Sequence, residues 1–359
     1  MFPIISQRTV RCLPGLLATS LLLGGAATAH AAPPLPAPDQ KADPQMKAVL
    51  TELARLNPTP LIKLTPAQAR LRPSAADAAA AVLKRRNNGK MPPPQAVAKV
   101  ENLSVPGPAG AIPVRVYTPE GKGPFPVLVY YHGGGWVIAS IDTYDASCRA
   151  LANGAGCVVV SVGYRQGPEH RFPAAHEDSY AALQYVMQNT AKYNGDPAKV
   201  AVGGESAGGG LAGAVCLMAK QRGGKMPIYQ LNVYPIAGYD LNTPSYRANA
   251  TAIPLNKPLM AWFFRYYLRS PKDGRNPLIS IDRANVRGLP PATVITDQID
   301  VLQSEGKMYA DRLKAAGIPV RYRNYDNVTH EFFGMAAVVD KARDAQAFAT
   351  AGLVSAFRK

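Results

Sequence analysis

The 359-residue sequence predicts an α/β fold, a mostly parallel sheet covered by helices on both faces. Three observations predict it. From Val97 onward, short β-branched or aromatic runs alternate with helix-like stretches. One run, Lys199-Val200-Ala201-Val202-Gly203, passes through Gly204-Glu205-Ser206-Ala207-Gly208 into a helix-like Leu211 to Lys220. Another, Val127-Leu128-Val129-Tyr130-Tyr131, ends in His132-Gly133-Gly134-Gly135-Trp136. Strands of a parallel sheet are buried on both faces, so they read as continuous apolar runs rather than alternating ones.

The first residues stand apart from this pattern. Arg8 and Arg11 form a basic start, Leu13 to Ala27 is apolar, and Ala29-His30-Ala31 is a small-x-small cleavage site. These features predict a secretory signal peptide over residues 1–31, because a membrane span needs about 20 apolar residues. Cleavage near Ala31 would give a periplasmic or secreted chain with no stable membrane insertion. Its 328 remaining residues suit one large domain. Residues 33–44 read as a Pro- and Ala-rich linker, and Lys47 to Leu56 and Ala67 to Arg86 as helices. The turn-rich Met91-Pro92-Pro93-Pro94 follows, then strands from Val97 that look antiparallel before the parallel units begin.

Charge and cysteines exclude several classes. The formal charge of +16 becomes +14 without Arg8 and Arg11, but the basic residues are scattered. Their densest group, Lys84-Arg85-Arg86-Asn87-Asn88-Gly89-Lys90, ends a helix, where cations suit the dipole and face solvent. No nucleic-acid partner is expected. Gly203 to Gly210 lacks the Gly-Lys-Ser/Thr of a phosphate loop. Cys148, Cys157 and Cys216 remain after cleavage; an odd number rules out a complete disulfide framework, and a Cys148–Cys157 bridge stays open. Nothing has the spacing of a metal site, and no metal or cofactor is expected.

The chemistry lies in the turns. Gly-x-Ser-x-Gly between a strand and a helix is a nucleophile elbow, so sharp that only glycine fits two residues before and after the serine. Glycines 133 and 134 leave backbone N–H groups free to converge on one oxygen; with the amide of Ala207 they would form an oxyanion hole. Ser206 needs a base. Of the five histidines, His30 lies in the expected signal peptide, His132 in the glycine loop, and His170 and His176 upstream of the elbow. Only His330 follows the last strand-like run, Val320 to Tyr325, in the chain order serine, acid, histidine. The acid should end the strand before, Pro291 to Thr296. Asp297 and Asp300 compete there, and Asp300, directly before the apolar Val301-Leu302 start of a helix, is favoured.

Together these motifs resemble the bacterial hormone-sensitive-lipase-like esterases, a branch of the α/β-hydrolase fold. The resemblance spans roughly residues 95–359. It rests also on Tyr164-Arg165-Gln166-Gly167-Pro168-Glu169-His170, Phe172-Pro173-Ala174-Ala175, Glu177-Asp178, Tyr234-Pro235, Thr243-Pro244-Ser245, Gly288-Leu289-Pro290-Pro291-Ala292 and Asp300-Val301-Leu302. Gln166-Gly167 replaces the usual Leu-Ala, and Glu205 stands where aspartate is commoner in one subgroup. The family implies an eight-stranded sheet with a helical cap. The expected division is residues 32–95 as linker and cap helices, 96–238 and 276–359 as the core, and 239–275 as a cap insertion. It further implies a serine carboxylesterase, monomeric or homodimeric, acting on small esters with short- to medium-chain or aromatic acyl groups. Ser206, Asp300 and His330 would be its triad, and Trp136 and Glu205 would bind substrate. An amidase or peptidase would use the same residues, whereas a non-catalytic binding protein would have no need of an intact triad.

Overall fold

The parallel strands carry two apolar surfaces at once, and this arranges the molecule. In β3 (Phe125–Tyr131), Val127, Val129 and Tyr131 enter one core while Leu128 and Tyr130 enter the other. β4 (Val158–Val162) repeats the split, with Val158, Val160 and Val162 against Val159. Each face therefore needs its own layer of helices. Helices Ala174–Gln188, Ala207–Arg222 and Gln303–Ala315 cover the first. Helices Pro44–Leu56, Ala75–Arg86, Asp145–Ala155 and Asp340–Phe357 cover the second.

The computed structural model describes residues 36, 37 and 39–358, which belong to one compact unit. The expected signal peptide, residues 1–31, lies outside them. The remaining strands are β1 (Lys99–Gly107), β2 (Gly110–Thr118), β5 (Gly195–Glu205), β6 (Gln230–Val233), β7 (Ala292–Ile299) and β8 (Val320–Thr329). They form one eight-stranded sheet in the order β1-β2-β4-β3-β5-β6-β7-β8. β1 and β2 are an antiparallel hairpin, β2 meets β4 antiparallel, and every later pairing is parallel. The expected α/β-hydrolase sheet is the one observed.

Two expectations change. Ala67 to Arg86 is not one helix: Pro66–Arg70 ends before Pro73, and Ala75–Arg86 begins at a capping box in which Ser74 and Asp77 satisfy each other's backbone N–H groups. The basic group ending that helix is also not merely solvated. Arg85 joins Arg55 on the buried carboxylate of Glu52, and Arg86 donates to Val338 O at 3.0 Å. Among the described residues, no helix is long and apolar enough to cross a membrane. Cys148, Cys157 and Cys216 are all buried and free, so no Cys148–Cys157 bridge forms.

Between β6 and β7 the chain leaves the sheet for three short helices, Pro244–Ala248, Lys257–Tyr267 and Pro271–Gly274. The aromatic face of Lys257–Tyr267 is buried, and the N-terminal segment meets this excursion. Trp262 Nε1 donates to Leu64 O at 3.2 Å, and the Asp39 carboxylate accepts from Ile253 N–H at 3.0 Å.

Candidate active site

Ser206 stands at the carboxyl end of β5, where open α/β sheets present their ligands. Its φ of 56° and ψ of −119° are strained for a residue with a β-carbon. Three backbone hydrogen bonds hold it there: Ser206 N donates to Val233 O at 2.9 Å, and Ser206 O accepts from Gly210 N and Ile236 N, each at 3.0 Å. The flanking glycines are steric requirements. A β-carbon at Gly204 would lie 2.4 Å from Tyr131 O, and one at Gly208 only 1.9 Å from the same atom.

The glycine loop follows β3 beside it. Gly134 has a φ of 94°, and a β-carbon there would meet Ile138 O at 2.1 Å. Among the described residues, the amides of Gly133, Gly134 and Ala207 donate to no other backbone carbonyl outside the helices and strands. His132 orients the loop. It stacks on Tyr164 with centroids 4.3 Å apart, and its Nδ1 bonds Gly133 O at 2.8 Å. Burial pushes its imidazole down to about 4, so it is neutral near pH 7. Tyr164 O–H completes the brace by donating to His132 O at 2.7 Å.

His330 follows β8, and its ring lies between serine and acid. Ser206 Oγ–H donates to Nε2 at 2.9 Å, and Nδ1–H donates to Asp300 Oδ2 at 2.7 Å. All three residues are buried, with Ser206 and His330 only 4% and 3% exposed. Burial works against the imidazolium. The charge and hydrogen bond of Asp300 outweigh it, with Glu331 and Glu205 adding, and His330 is held above the ordinary histidine value.

Asp300, rather than Asp297, contacts the imidazole. Asp300 Oδ1 accepts from Leu302 N at 2.9 Å. Its loop is anchored by the excursion: Asn249 Nδ2 donates to Asp300 O at 3.0 Å and Ser245 Oγ to Val301 O at 2.5 Å. Asp297, Asp300 and His330 have ligating atoms within 4.8 Å of one another, but Asp300 and His330 Nδ1 already satisfy each other. Asp297 is fully buried, and neither oxygen has a partner. Burial and then the charge of Asp300 hold its carboxyl well above the usual range.

Two residues expected to bind substrate have internal partners instead. Glu205 is 1% exposed; its oxygens accept from the hydroxyls of Tyr130 and Tyr234. Burial pushes its carboxyl up to about 7, Glu331 adds to this, and hydrogen bonds oppose it. Trp136, also 1% exposed, stacks on Tyr267 at 4.8 Å and packs against Phe264, which locks the glycine loop to the aromatic helix. His176 supports that junction: its Nδ1 bonds Tyr267 O–H at 2.8 Å and its Nε2 bonds Leu278 O at 3.1 Å. Two surface cavities lie elsewhere. One of about 280 Å³ is beside Arg171, Phe264 and Arg269, and one of about 570 Å³ is beside Lys199, Tyr229 and Arg321; neither is lined by Ser206 or His330.

A model of the alpha/beta hydrolase fold family matches residues 128–334. The Carboxylic ester hydrolase LipN of Mycobacterium tuberculosis is 40% identical over 255 residues, 68% of this chain and 67% of the relative. The chain belongs to the hormone-sensitive-lipase-like esterase family. This α/β hydrolase is also similar to the Ethyl acetate hydrolase of Pseudomonas putida, 33% identical over 236 residues, 64% of this chain and 74% of the other. Among solved structures, the Pyrobaculum calidifontis esterase superposes with a TM-score of 0.78 at 36% identity, covering 88% of this chain and 98% of that one. A thermostable Pseudomonas putida esterase gives 0.79 at 30%, with the same coverages.

Three features of the site carry no pattern in the sequence. These are the excursion's hold on the Asp300 loop, the buried and unpartnered Asp297, and a second acid, Glu331, near the imidazole. Ser245 was visible as part of Thr243-Pro244-Ser245, but its bond to Val301 O joins residues 56 apart and exists only in the folded chain.

Proposed function

We propose that the protein is a serine carboxylesterase that hydrolyses short- to medium-chain or aromatic carboxylic esters through an acyl-enzyme. The observation that carries this reading is the continuous chain from Ser206 Oγ to His330 Nε2 at 2.9 Å and from His330 Nδ1 to Asp300 Oδ2 at 2.7 Å. His330 takes the Ser206 proton as Oγ attacks the ester carbonyl. The tetrahedral oxyanion is met by the amides of Gly133, Gly134 and Ala207, each worth roughly 2.7–4 kcal/mol where such a donor has been removed elsewhere. The imidazolium then protonates the leaving alcohol, and water repeats the sequence on the acyl-enzyme. Asp300 holds the ring in the tautomer that leaves Nε2 free to accept.

The names of the relatives support ester chemistry over the amidase alternative. The low exposure of Ser206 supports a cap formed by residues 239–275 and the N-terminal helices, which must move to admit substrate. The basic and apolar pattern of residues 1–31 supports export. The test is reaction with a fluorophosphonate probe followed by turnover of a p-nitrophenyl ester series from acetate to palmitate. Labelling that persists in Ser206→Ala would refute the nucleophile, and faster turnover of matched amides than of esters would refute the substrate class.

A further inference from the structure

Glu331 directly follows the imidazole residue, at a φ of 73° in the left-handed region that residues with a β-carbon seldom occupy. That turn brings its carboxylate to the side of the ring opposite Asp300. Glu331 Oε1 lies 3.8 Å from His330 Nε2, the same atom that faces Ser206 Oγ at 2.9 Å. Both carboxylate oxygens accept from the Tyr144 hydroxyl, at 2.8 and 2.9 Å. Tyr144 in turn fills the space beside Gly133, where a β-carbon would stand 2.2 Å from that hydroxyl. The acid is thus held by the short helix Asp142–Tyr144, which packs against the glycine loop, and not from its own loop. Its side chain keeps 23% of its exposure, against 4% for His330 and none for Asp300.

We propose that Glu331 is a second carboxylate partner of His330, stabilising the imidazolium from the side on which the leaving alcohol departs. It is a positioning residue, because it touches the base and not the reacting atoms, and the proposal rests on the triad reading above. Asp300 compensates the charge at Nδ1, and Glu331 does so near Nε2, where the transferred proton sits. An anion this close favours the charged ring. The other groups facing the pair are Asp297 and Asp300 at the end of β7, Glu205 on β5, and Tyr144 and Tyr234. Burial pushes the Asp297 carboxyl well above the usual range and that of Glu205 up to about 7. Asp300 and Glu331 are the two carboxylates that lie at the ring nitrogens, at Nδ1 and near Nε2. Partial burial raises the Glu331 carboxyl somewhat, against the pull of His330 and Tyr144.

The test is the rate at which a fluorophosphonate probe labels the full chain as pH is varied. Glu331→Gln keeps the size and the Tyr144 contact but removes the charge. The midpoint of the acid limb is expected to move down by about 1 pH unit. The plateau rate should fall about 3- to 10-fold, because the base is weaker. Glu331→Gly removes both the charge and the backbone strain, and the same midpoint is expected. An unchanged midpoint in Glu331→Gln overturns the proposal, and so does a shift confined to Glu331→Gly, since the backbone would then be the cause. Undiminished labelling of Ser206→Ala would instead overturn the triad reading, an outcome independent of the Glu331 profiles.

Discussion

At Ser206 the strained backbone and the presented hydroxyl are one feature, since the φ of 56° points Oγ at His330 Nε2. Ser206→Ala should keep the fold and lose about 10⁴- to 10⁶-fold in ester turnover, as measured by steady-state kinetics on p-nitrophenyl acetate. The two aspartates should part sharply. Asp300→Asn would hold the imidazole in the wrong tautomer and is expected to cost about 10⁴-fold in kcat. Asp297→Asn keeps the size of a side chain that makes no hydrogen bond to the ring and should stay within about 10-fold of wild type. Glu205 makes a prediction about stability. Its folded value of about 7 lies above the usual 4.5, so between those limits the native state keeps a proton that the unfolded chain has released. Stability from this group is therefore greatest at low pH, declines as pH rises through that window and stays reduced above it. Glu205→Gln has no proton to lose. Thermal melting should show it more stable than wild type at pH 8, by on the order of 1–3 kcal/mol, and close to wild type at pH 5.

Among the elements, the elbow tolerates least. A methyl at Gly208 would press on Tyr131 O from 1.9 Å, and backbone cannot move aside as a flexible side chain can. Gly208→Ala should lower Tm by several degrees and labelling by more than about 100-fold. The short helix Pro66–Arg70 shows how distant segments are joined to the glycine loop. Arg70 Nε donates to Val137 O at 2.8 Å, and Nη2 to Gly167 O at 2.7 Å and to Glu169 at 2.7 Å. The ion pair is partly exposed and contributes little by itself, whereas the two carbonyls would be left without a donor. Arg70→Ala is expected to cost about 1–2 kcal/mol in denaturant unfolding, and Arg70→Lys should not restore it, lacking the planar fork.

For the whole molecule, stability comes from two apolar cores on either side of one sheet, with no crosslink among the described residues. Burial pushes all three described thiols above their ordinary range. A thiol reagent should therefore find none of these three in the native protein and all three after denaturation, and reductant should leave Tm unchanged. Export is checked by N-terminal sequencing of the protein from the periplasm or medium, where the first residue is expected near Ala32.

What the sequence by itself determined is whatever depends on local sterics and chain order. Apolar runs with helices between them specify a parallel sheet, and glycines two residues either side of a serine specify an elbow. The order serine, acid, histidine singles out His330. Even the acid was narrowed to two residues three apart, and only coordinates could say which of them faces the ring. The tertiary structure decided whatever depends on two segments meeting: Asp300 over Asp297, the internal roles of Glu205 and Trp136, and the hold of Ser245 and Asn249 on the acid loop. It also decided the place of Glu331, which is next to His330 in sequence yet reaches the far side of the ring only through a left-handed turn and a hydroxyl from the glycine-loop side. Sequence patterns report on neighbours along the chain, whereas burial and electrostatic environment are set by neighbours in space.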